Sequence, residues 1–358
     1  MDQIGQFTLS EIEEQPTVIQ KTIANLKIFD EIAEKINILQ PELVILTGSG
    51  SSFNAGFASL YMLNNIAKIP TWVVHSSEFP YIVEPILKEK KHLLITISQS
   101  GESPGTVSAA NFAKSKNISS IAVTAHPESP LAQKCSMVLP LITGEERSVM
   151  ATKTYMAQIA ALIRLALALG KFNQDLQPST IKDLLTSLER IPQEIGKMLD
   201  PLKQIIRNIS PYYKFVKYAF ILGTGPDYAT AMEAALKLKE GARIIAEAYS
   251  AAEFRHGPIT LADEYTMILG IIPHSSSKRY ESVISLLEKV KQRHSSILGI
   301  SPPQDLPYSF LIKMPQFREE LSPLTNIVPV QLLAYNIAIL RGYDPDNPQF
   351  LTKVVREE

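Results

Sequence analysis

The chain has 358 residues, of which 45% are hydrophobic and 20% charged, and its formal net charge is -1. This composition indicates a globular protein of about two domains, and the lack of basic runs argues against a nucleic-acid partner. One cysteine excludes an internal disulfide, and the acidic start lacks the apolar core of a signal peptide, so we expect a cytoplasmic protein with no membrane-spanning segment.

Two leading helical stretches are followed by predicted strands that alternate with predicted helices. Residues 7–27 read as a helix interrupted at Pro16, and residues 28–39 as a second helix. Short apolar runs then predict buried strands, and a longer apolar run predicts a helix. The predicted strands lie at 43–46, 72–79, 93–97, 121–124 and 137–139, and the apolar helix is predicted over 152–169.

The second half repeats this pattern after an amphipathic helical connector. Strands are predicted at 218–222, 267–272, 296–300 and near Phe310, with helices at 229–240, 281–293 and 328–341. Because such alternation builds parallel sheets through right-handed crossovers, we expect an α/β fold of two tandem domains. Each would be a doubly wound parallel sheet flanked by helices, in a flavodoxin-like three-layer sandwich. The expected division is an N-terminal helical segment (1–34), a first domain (35–173), a helical connector (174–209), a second domain (210–342) and a C-terminal tail (343–358).

Serine-rich turns follow the first and third predicted strands. The turn of residues 98–103 (SQSGES) follows strand 93–97, and Ser51 and Ser52 follow strand 43–46. Ligands of open α/β sheets bind at such strand ends, where helix N-termini present free N–H groups. Hydroxyl and N–H donors there predict a phosphate site, although each serine alone is also typical of helix capping. Neither turn has a complete dinucleotide or P-loop pattern, which argues against a nucleotide-dependent dehydrogenase.

A second group of candidate residues lies on and after the helix predicted at 229–240. Glu233, Lys237 and Glu240 are spaced four and three residues apart, so they form a row on one helical face. This row is either a solvated face with internal ion pairs or a set of acid–base groups beside buried surface. His256 follows in a Gly-Pro turn, and a histidine held there is a candidate acid or base near neutral pH.

Motifs along nearly the whole chain, from EIEEQP at residue 11 onward, give it a family resemblance. The most specific are GSSFNAG, SQSGES, VMATK, EAALKLKEGARIIAEAYSAAEFRHGP and DNPQFLTKVV. In this order they make the chain resemble the tandem sugar isomerase (SIS) domains of glucosamine-6-phosphate synthase and of glucosamine-6-phosphate deaminases. The glutaminase domain of the synthase uses a cysteine nucleophile at the chain start, whereas the only cysteine here is Cys135. We therefore expect no glutaminase activity from this chain unaided.

The resemblance implies that two sets of residues bind the substrate. The residues that would hold the sugar phosphate are Ser52, Ser98, Gln99, Ser100 and Ser103. The residues that would line the sugar site are Ser51, Val149 and Ala151. A serine is more usual in the family at position 151, so one hydroxyl contact is expected to be missing.

The resemblance also implies four catalytic residues. Glu240 would be the base that moves a proton between carbon 1 and carbon 2, with Lys237 one helical turn before it. His256 would open the sugar ring, reaching the site from the partner subunit of a homodimer. Lys353 would engage the open-chain carbonyl from the C-terminal tail, although by itself it is typical of a solvated surface lysine.

The expected activity is that of an amino-sugar phosphate deaminase or isomerase, converting glucosamine 6-phosphate to fructose 6-phosphate and ammonia. The same residues would also suit ammonia-dependent synthesis, plain aldose–ketose isomerisation or cleavage of a sugar–amine adduct. A non-catalytic sugar-phosphate sensor is the alternative from another class, and it would need only the serines. Proton transfer and imine hydrolysis require neither a metal nor an organic cofactor, so none is expected.

Overall fold

The computed structural model describes residues 4–87 and 91–353. Parts of the expected N-terminal segment (1–3) and C-terminal tail (354–358) therefore lie outside the described residues, as do residues 88–90. The chain divides into two compact units. Unit 1 comprises residues 1–13, 147–150 and 193–350, and unit 2 comprises residues 14–146, 151–192 and 351–358.

Three helices precede the first strand: α1 (Gln6–Glu13), α2 (Gln15–Ala24) and α3 (Leu26–Leu39). Pro16 lies in the first turn of α2, where a missing backbone N–H costs nothing. The interruption predicted at this proline is therefore a helix boundary.

Unit 2 is built on a five-stranded sheet in the order β2-β1-β3-β4-β5, and every strand pair is parallel. The three central strands form from apolar runs whose side chains are buried on both faces, and the two edge strands are only partly buried. The strands are β1 (Leu43–Gly48), β2 (Thr71–His75), β3 (His92–Ile97), β4 (Ser119–Thr124) and β5 (Met137–Pro140). The helices are α4 (Ser51–Met62), α5 (Phe79–Ile82), α6 (Pro104–Ser115) and α7 (Lys153–Gly170), whose 18 residues are all buried.

Unit 1 carries the second parallel sheet, in the order β10-β9-β8-β6-β7. A long helix, α8 (Pro178–Tyr213), comes before it in the chain. The strands are β6 (Tyr218–Gly223), β7 (Ile245–Ser250), β8 (Thr266–Ile271), β9 (Ser296–Ser301) and β10 (Phe310–Lys313). The helices are α9 (Pro226–Glu240), α10 (Tyr280–Lys291), α11 (Pro323–Asn326) and α12 (Val328–Arg341).

The two sheets have the same topology. Read from its other edge, the unit 1 sheet runs β7-β6-β8-β9-β10, so β6 corresponds to β1 and β8 corresponds to β3. In both units a helix of 12 residues or more follows each of these two strands. The prediction of two tandem doubly wound α/β domains is thus confirmed.

Among the strands of the described residues, β7 is the one that the apolar runs did not predict. Its sequence, IAEAYS, mixes apolar and polar residues, and only Ala246 is fully buried within it. β7 pairs with β6 alone, at the edge of the sheet. A half-exposed edge strand needs no continuous apolar run, which is why the sequence pattern missed it.

The stretch Pro323–Arg341 has the length and apolar composition of a membrane-spanning helix, but 78% of it is buried inside the structure. Its buried residues include Leu332, Leu333 and Ile337. A helix in the core of a globular fold has the same apolar composition. The burial of this stretch favours its interpretation as a core helix.

Candidate active site

The predicted phosphate-binding residues lie at the carboxyl-terminal ends of two strands of the unit 2 sheet. Residues 98–103 connect the end of β3 to α6, and Ser103 is the residue that precedes the first turn of that helix. Ser51 and Ser52 open α4 directly after β1. Because β1 and β3 are adjacent parallel strands, the two serine clusters occupy neighbouring positions at the carboxyl ends of the strands, where open α/β sheets bind ligands.

Gly101 gives the turn after β3 its shape. Its φ is +66°, and a Cβ atom at this position would lie 2.1 Å from the Ser129 hydroxyl. Both the backbone conformation and the space therefore require glycine. The turn then brings the Gly101 N–H to the Ser98 hydroxyl at 3.1 Å and the Glu102 N–H to the Ser100 hydroxyl at 3.2 Å. Both serines accept a hydrogen bond from the backbone.

Two further serines accept hydrogen bonds from buried side chains. The Thr106 hydroxyl donates to the Ser103 hydroxyl at 3.2 Å, and Gln158 Nε2 on α7 donates to the Ser52 hydroxyl at 2.9 Å. A serine hydroxyl has one hydrogen to donate and two lone pairs. Because one lone pair is already used in each case, the hydrogen of each hydroxyl is available to an anionic acceptor. Gln158 is a supporting residue that the sequence patterns did not predict.

The remaining residue of the serine turn, Gln99, is fixed through its backbone. Its carbonyl accepts hydrogen bonds from the Thr124 hydroxyl and the Ala125 N–H, both at 3.1 Å. The Gln99 side chain is half-buried. These contacts tie the turn to the end of β4 and limit its movement.

Lys353, the predicted carbonyl-binding residue, belongs to unit 2. Its Nζ lies 2.5 Å from Oε2 of Glu146, and the side chains are 26% and 1% exposed, respectively. The alternative of a solvated surface lysine does not fit this contact. Glu146 was not predicted as a site residue. It stands between two other charged residues, Glu145 and Arg147, which are exposed in the structure, and nothing in the sequence distinguishes it from them.

The two predicted sugar-site residues of the VMATK motif are both half-buried. The N–H of Val149, in unit 1, donates to the carbonyl of Asp346 at 2.9 Å. Ala151 belongs to unit 2 and, as expected from its sequence, presents no hydroxyl.

The row of charges on α9 is buried, so its interpretation as a solvated face was wrong. Glu233 and Lys237 are 0% exposed and Glu240 is 18% exposed. Lys237 Nζ lies 3.2 Å from Glu233 Oε1 and 2.7 Å from Glu240 Oε2. Burial alone would lower the pKa of Lys237, but the two carboxylates outweigh it and raise that pKa. Lys237 is therefore a permanent cation that holds the partly exposed Glu240 carboxylate in one position.

The opening turn of α9 contains a second buried acid that the sequence patterns did not predict. Asp227 accepts hydrogen bonds from the hydroxyls of Thr230 (2.8 Å) and Ser322 (2.7 Å) and from the Asn326 amide (3.1 Å). Burial raises the pKa of Asp227 to about 6, although these three donors lower it. Asp227 joins α9 to the segment that contains α11.

His256 lies in the turn after a short 3₁₀ segment, Glu253–Arg255, and its side chain is exposed. Its N–H donates to the carbonyl of Glu253 at 3.0 Å. The next residue, Gly257, has a φ of +138°, a conformation reserved for glycine. The predicted rigid Gly-Pro turn is present, and it exposes the imidazole to solvent.

The candidate residues thus fall into two groups. Unit 2 contains the phosphate-site serines, Gln99, Ala151 and Lys353, and unit 1 contains Lys237, Glu240, His256 and Val149. Within residues 4–87 and 91–353 there is no cluster of three or more His, Cys, Asp or Glu side chains with the arrangement of a metal site.

Comparison with protein families matches the SIS domain to residues 37–168 and 216–341. Among characterised relatives, the chain is 36% identical over 355 residues to the isomerizing glutamine–fructose-6-phosphate aminotransferase of Pyrococcus horikoshii. It is 34% identical over 364 residues to the corresponding enzyme of Gloeobacter violaceus. Both alignments cover 98% of this chain but only 58% and 59% of those enzymes.

Solved structures show the same fold. The C-terminal domain of glucosamine-fructose-6-phosphate aminotransferase from Francisella tularensis superposes with a TM-score of 0.89 at 28% identity, covering 96% of this chain and 98% of that one. A putative tagatose-6-phosphate ketose/aldose isomerase from Clostridium novyi gives 0.87 at 22% identity, with coverages of 99% and 94%. Glucosamine-6-phosphate deaminase from Thermotoga maritima gives 0.76 at 23% identity, with coverages of 98% and 99%.

Proposed function

Because the chain belongs to the SIS domain family, we propose that it is a sugar-phosphate isomerase that interconverts glucosamine 6-phosphate and fructose 6-phosphate plus ammonia. The relatives and structural neighbours named for their activity are sugar-phosphate isomerases, aminotransferases and a deaminase. The observation that carries the proposal is the buried row of Glu233, Lys237 and Glu240, because a sensor would not need a carboxylate held by a buried cation.

The serine hydroxyls of unit 2 support a phosphate ester as the recognised group. Ser52, Ser98, Ser100 and Ser103 each accept one local hydrogen bond, which leaves four O–H donors. A phosphate group has three oxygens that carry about two negative charges and accept hydrogen bonds from such donors well. The positive end of the helix dipole at the N-terminus of α6 also favours an anion. We assign the phosphate of the sugar to this cluster.

Glu240 is the proposed acid–base group. Moving hydrogen between carbon 1 and carbon 2 needs one carboxylate that takes a proton and returns it. Glu240 is partly exposed, and its carboxylate is oriented by the buried Lys237 at 2.7 Å. After the proton transfer, water would hydrolyse the imine and release ammonia, or the reverse sequence would incorporate it.

Lys353 and His256 complete the proposal. Lys353 would engage the carbonyl of the open-chain sugar, and His256 would catalyse opening of the ring from the partner subunit of a homodimer. The exposed position of His256 suits a residue donated to a neighbour. We further propose that the protein acts in the cytoplasm and uses a sugar-phosphate substrate.

The direct test is ammonia release from glucosamine 6-phosphate by the purified protein. We expect the wild type to produce ammonia and fructose 6-phosphate, and Glu240→Gln to lose activity by at least about 100-fold, the usual contribution of general acid–base catalysis. Glu264→Gln, which changes an exposed carboxylate of the same unit, is the matched control and should retain activity. Binding of the sugar phosphate by the wild type with no turnover in either direction would reject the enzyme and favour a sensor.

The donation of His256 across a dimer can be tested by mixing two inactive variants. Subunits with Glu240→Gln and subunits with His256→Ala would together form some sites that contain both native residues, so activity should return. Failure of the mixture to regain activity, with mixed dimers shown by mass, would contradict the shared site.

A further inference from the structure

Glu146 is a buried acidic side chain of unit 2 that accepts four hydrogen bonds and that the proposed reaction does not use directly. Its Oε1 accepts the backbone N–H groups of Thr152 (3.0 Å) and Thr154 (3.1 Å). Its Oε2 accepts the Thr154 hydroxyl at 2.6 Å and Lys353 Nζ at 2.5 Å. Both carboxylate oxygens are therefore fixed, and one of the four donors is the catalytic candidate Lys353.

Three of these four donors belong to the start of α7. Thr152 precedes the first residue of this helix and Thr154 is its second residue, so Glu146 binds the free N–H groups that a helix N-terminus presents. Burial alone would raise the pKa of Glu146, but the charge of Lys353 and the hydrogen bonds of its partners lower it. Glu146 is consequently an anion at neutral pH, attached to a fully buried helix.

Lys353, in contrast, lies on a segment without regular secondary structure, since residues 351–353 belong to no helix or strand. A lysine side chain on such a segment loses rotamer entropy when it is held in one place. The Glu146 carboxylate supplies the interaction that offsets this loss, because hydrogen bonds between charged groups are the strong ones. The immobile member of the pair is Glu146, and the positioned member is Lys353.

We propose that Glu146 is a positioning residue that places the ammonium group of Lys353 for its contact with the open-chain sugar. The proposal rests on the proposed function, in which Lys353 engages the substrate carbonyl. Glu146 itself does not touch the substrate, because both of its oxygens are occupied by Thr152, Thr154 and Lys353.

The first measurement is kinetic and uses a double-mutant cycle. Glu146→Gln keeps the size of the side chain but removes the charge, and Glu145→Gln changes the exposed neighbour as a matched control. We expect Glu146→Gln to lower kcat/KM by about 10- to 100-fold, the usual effect of losing a charged hydrogen bond, and Glu145→Gln to leave it unchanged. In a Lys353→Met background, Glu146→Gln should cause no further loss. An equal loss in both backgrounds would overturn the proposal, since Glu146 would then act only on the start of α7.

The second measurement does not depend on turnover. Lysine amines are methylated with formaldehyde and a borohydride, and the rate at Lys353 is followed by peptide mass spectrometry. We expect Glu146→Gln to increase the rate at Lys353 several-fold, because a contact of 2.5 Å with a buried carboxylate shields the amine, while Glu145→Gln has no effect. Equal rates in the wild type and Glu146→Gln would overturn the placement of Lys353 by Glu146. If the wild type converts no sugar phosphate, the proposed function fails, yet the methylation rates still decide whether Glu146 positions Lys353.

Discussion

Units 1 and 2 share one strand order but carry different chemistry at equivalent strand ends. In unit 2, the turns after β1 and β3 contain four serines whose hydroxyls each accept a hydrogen bond: Ser52, Ser98, Ser100 and Ser103. In unit 1, the corresponding turns follow β6 and β8. The first leads to the buried carboxylate of Asp227, and the second ends at Arg279, which is paired with Glu319 at 2.5 Å.

This difference supports our proposal that unit 2 holds the phosphate. A phosphate at the start of α9 would meet the Asp227 carboxylate, and the nearby positive charge of Arg279 is already neutralised by Glu319. At the start of α4, the equivalent place in unit 2, the Ser52 hydroxyl is offered instead. The duplicated topology supplies two equivalent places, and the side chains at each place determine its ligand.

The strongest test of the unit 2 turn is Gly101→Ala. The equivalent stretch of unit 1, residues 272–279, has no residue with positive φ, so this requirement for glycine is specific to unit 2. The added Cβ would lie 2.1 Å from the Ser129 hydroxyl, and we expect a loss of about 3 kcal/mol in the free energy of unfolding from strain and overpacking together. Urea unfolding measures this loss, and calorimetry should show weaker binding of fructose 6-phosphate.

Gly144→Ala is the matched control for this experiment. Gly144 also has a positive φ, +62°, but no atom lies within 4 Å of its would-be Cβ. The substitution introduces backbone strain alone, so we expect a loss of about 1 kcal/mol in the free energy of unfolding. Sugar-phosphate binding should be retained. Equal destabilisation by the two substitutions would mean that the Ser129 contact does not shape the turn.

The buried acid at the start of α9 in unit 1 is tested by Asp227→Asn and its dependence on pH. Burial raises the pKa of Asp227 from 3.8 to about 6, so the folded state holds this proton more tightly than the unfolded state. The stability that results is complete below about pH 4 and is lost as the pH rises through about 6. Between pH 4 and 7 the wild type should therefore lose roughly 3 kcal/mol relative to Asp227→Asn.

Urea unfolding of both proteins across this pH range measures the difference. Asp305→Asn removes an exposed carboxylate of the same unit whose pKa is lowered by Lys313, so it should not reproduce the effect. A constant difference between the wild type and Asp227→Asn from pH 4 to 7 would show that Asp227 is ionised throughout.

The parts of the fold that were predicted from sequence are those with a local signal. Helix α12 was predicted at 328–341, its observed range, because a long, mainly apolar stretch without glycine is visible in the sequence itself. The serine clusters were predicted for the same reason, since each directly follows an apolar strand. Strand β7 was missed because its pattern, with only Ala246 fully buried, reflects its place at the edge of a sheet.

The supporting residues of the candidate site had no such signal. Glu146 and Lys353 are 207 residues apart, and Gln158 and Ser52 are 106 residues apart. Their roles come from tertiary contacts between distant parts of the chain. The burial of Glu233 and Lys237 also depends on tertiary packing. Helical spacing places both residues on one face of α9, but it does not show whether other parts of the chain pack against that face.

Gln158→Leu tests the smallest of these effects, the orientation of the Ser52 hydroxyl. Leucine has a volume similar to that of glutamine. Gln158 Oε1 is buried without a hydrogen-bond partner among the described residues. Because the substitution removes this unsatisfied acceptor, it should leave the free energy of unfolding nearly unchanged. Without the Nε2 donor, the Ser52 hydrogen is no longer reserved for the ligand, and the Kd for fructose 6-phosphate should rise about fivefold, the effect of one neutral hydrogen bond of about 1 kcal/mol. Gln133→Leu, at an exposed position of unit 2, is the control. An unchanged Kd together with lower stability would identify Gln158 as a packing residue, and the orientation of Ser52 would then have to come from its own helix.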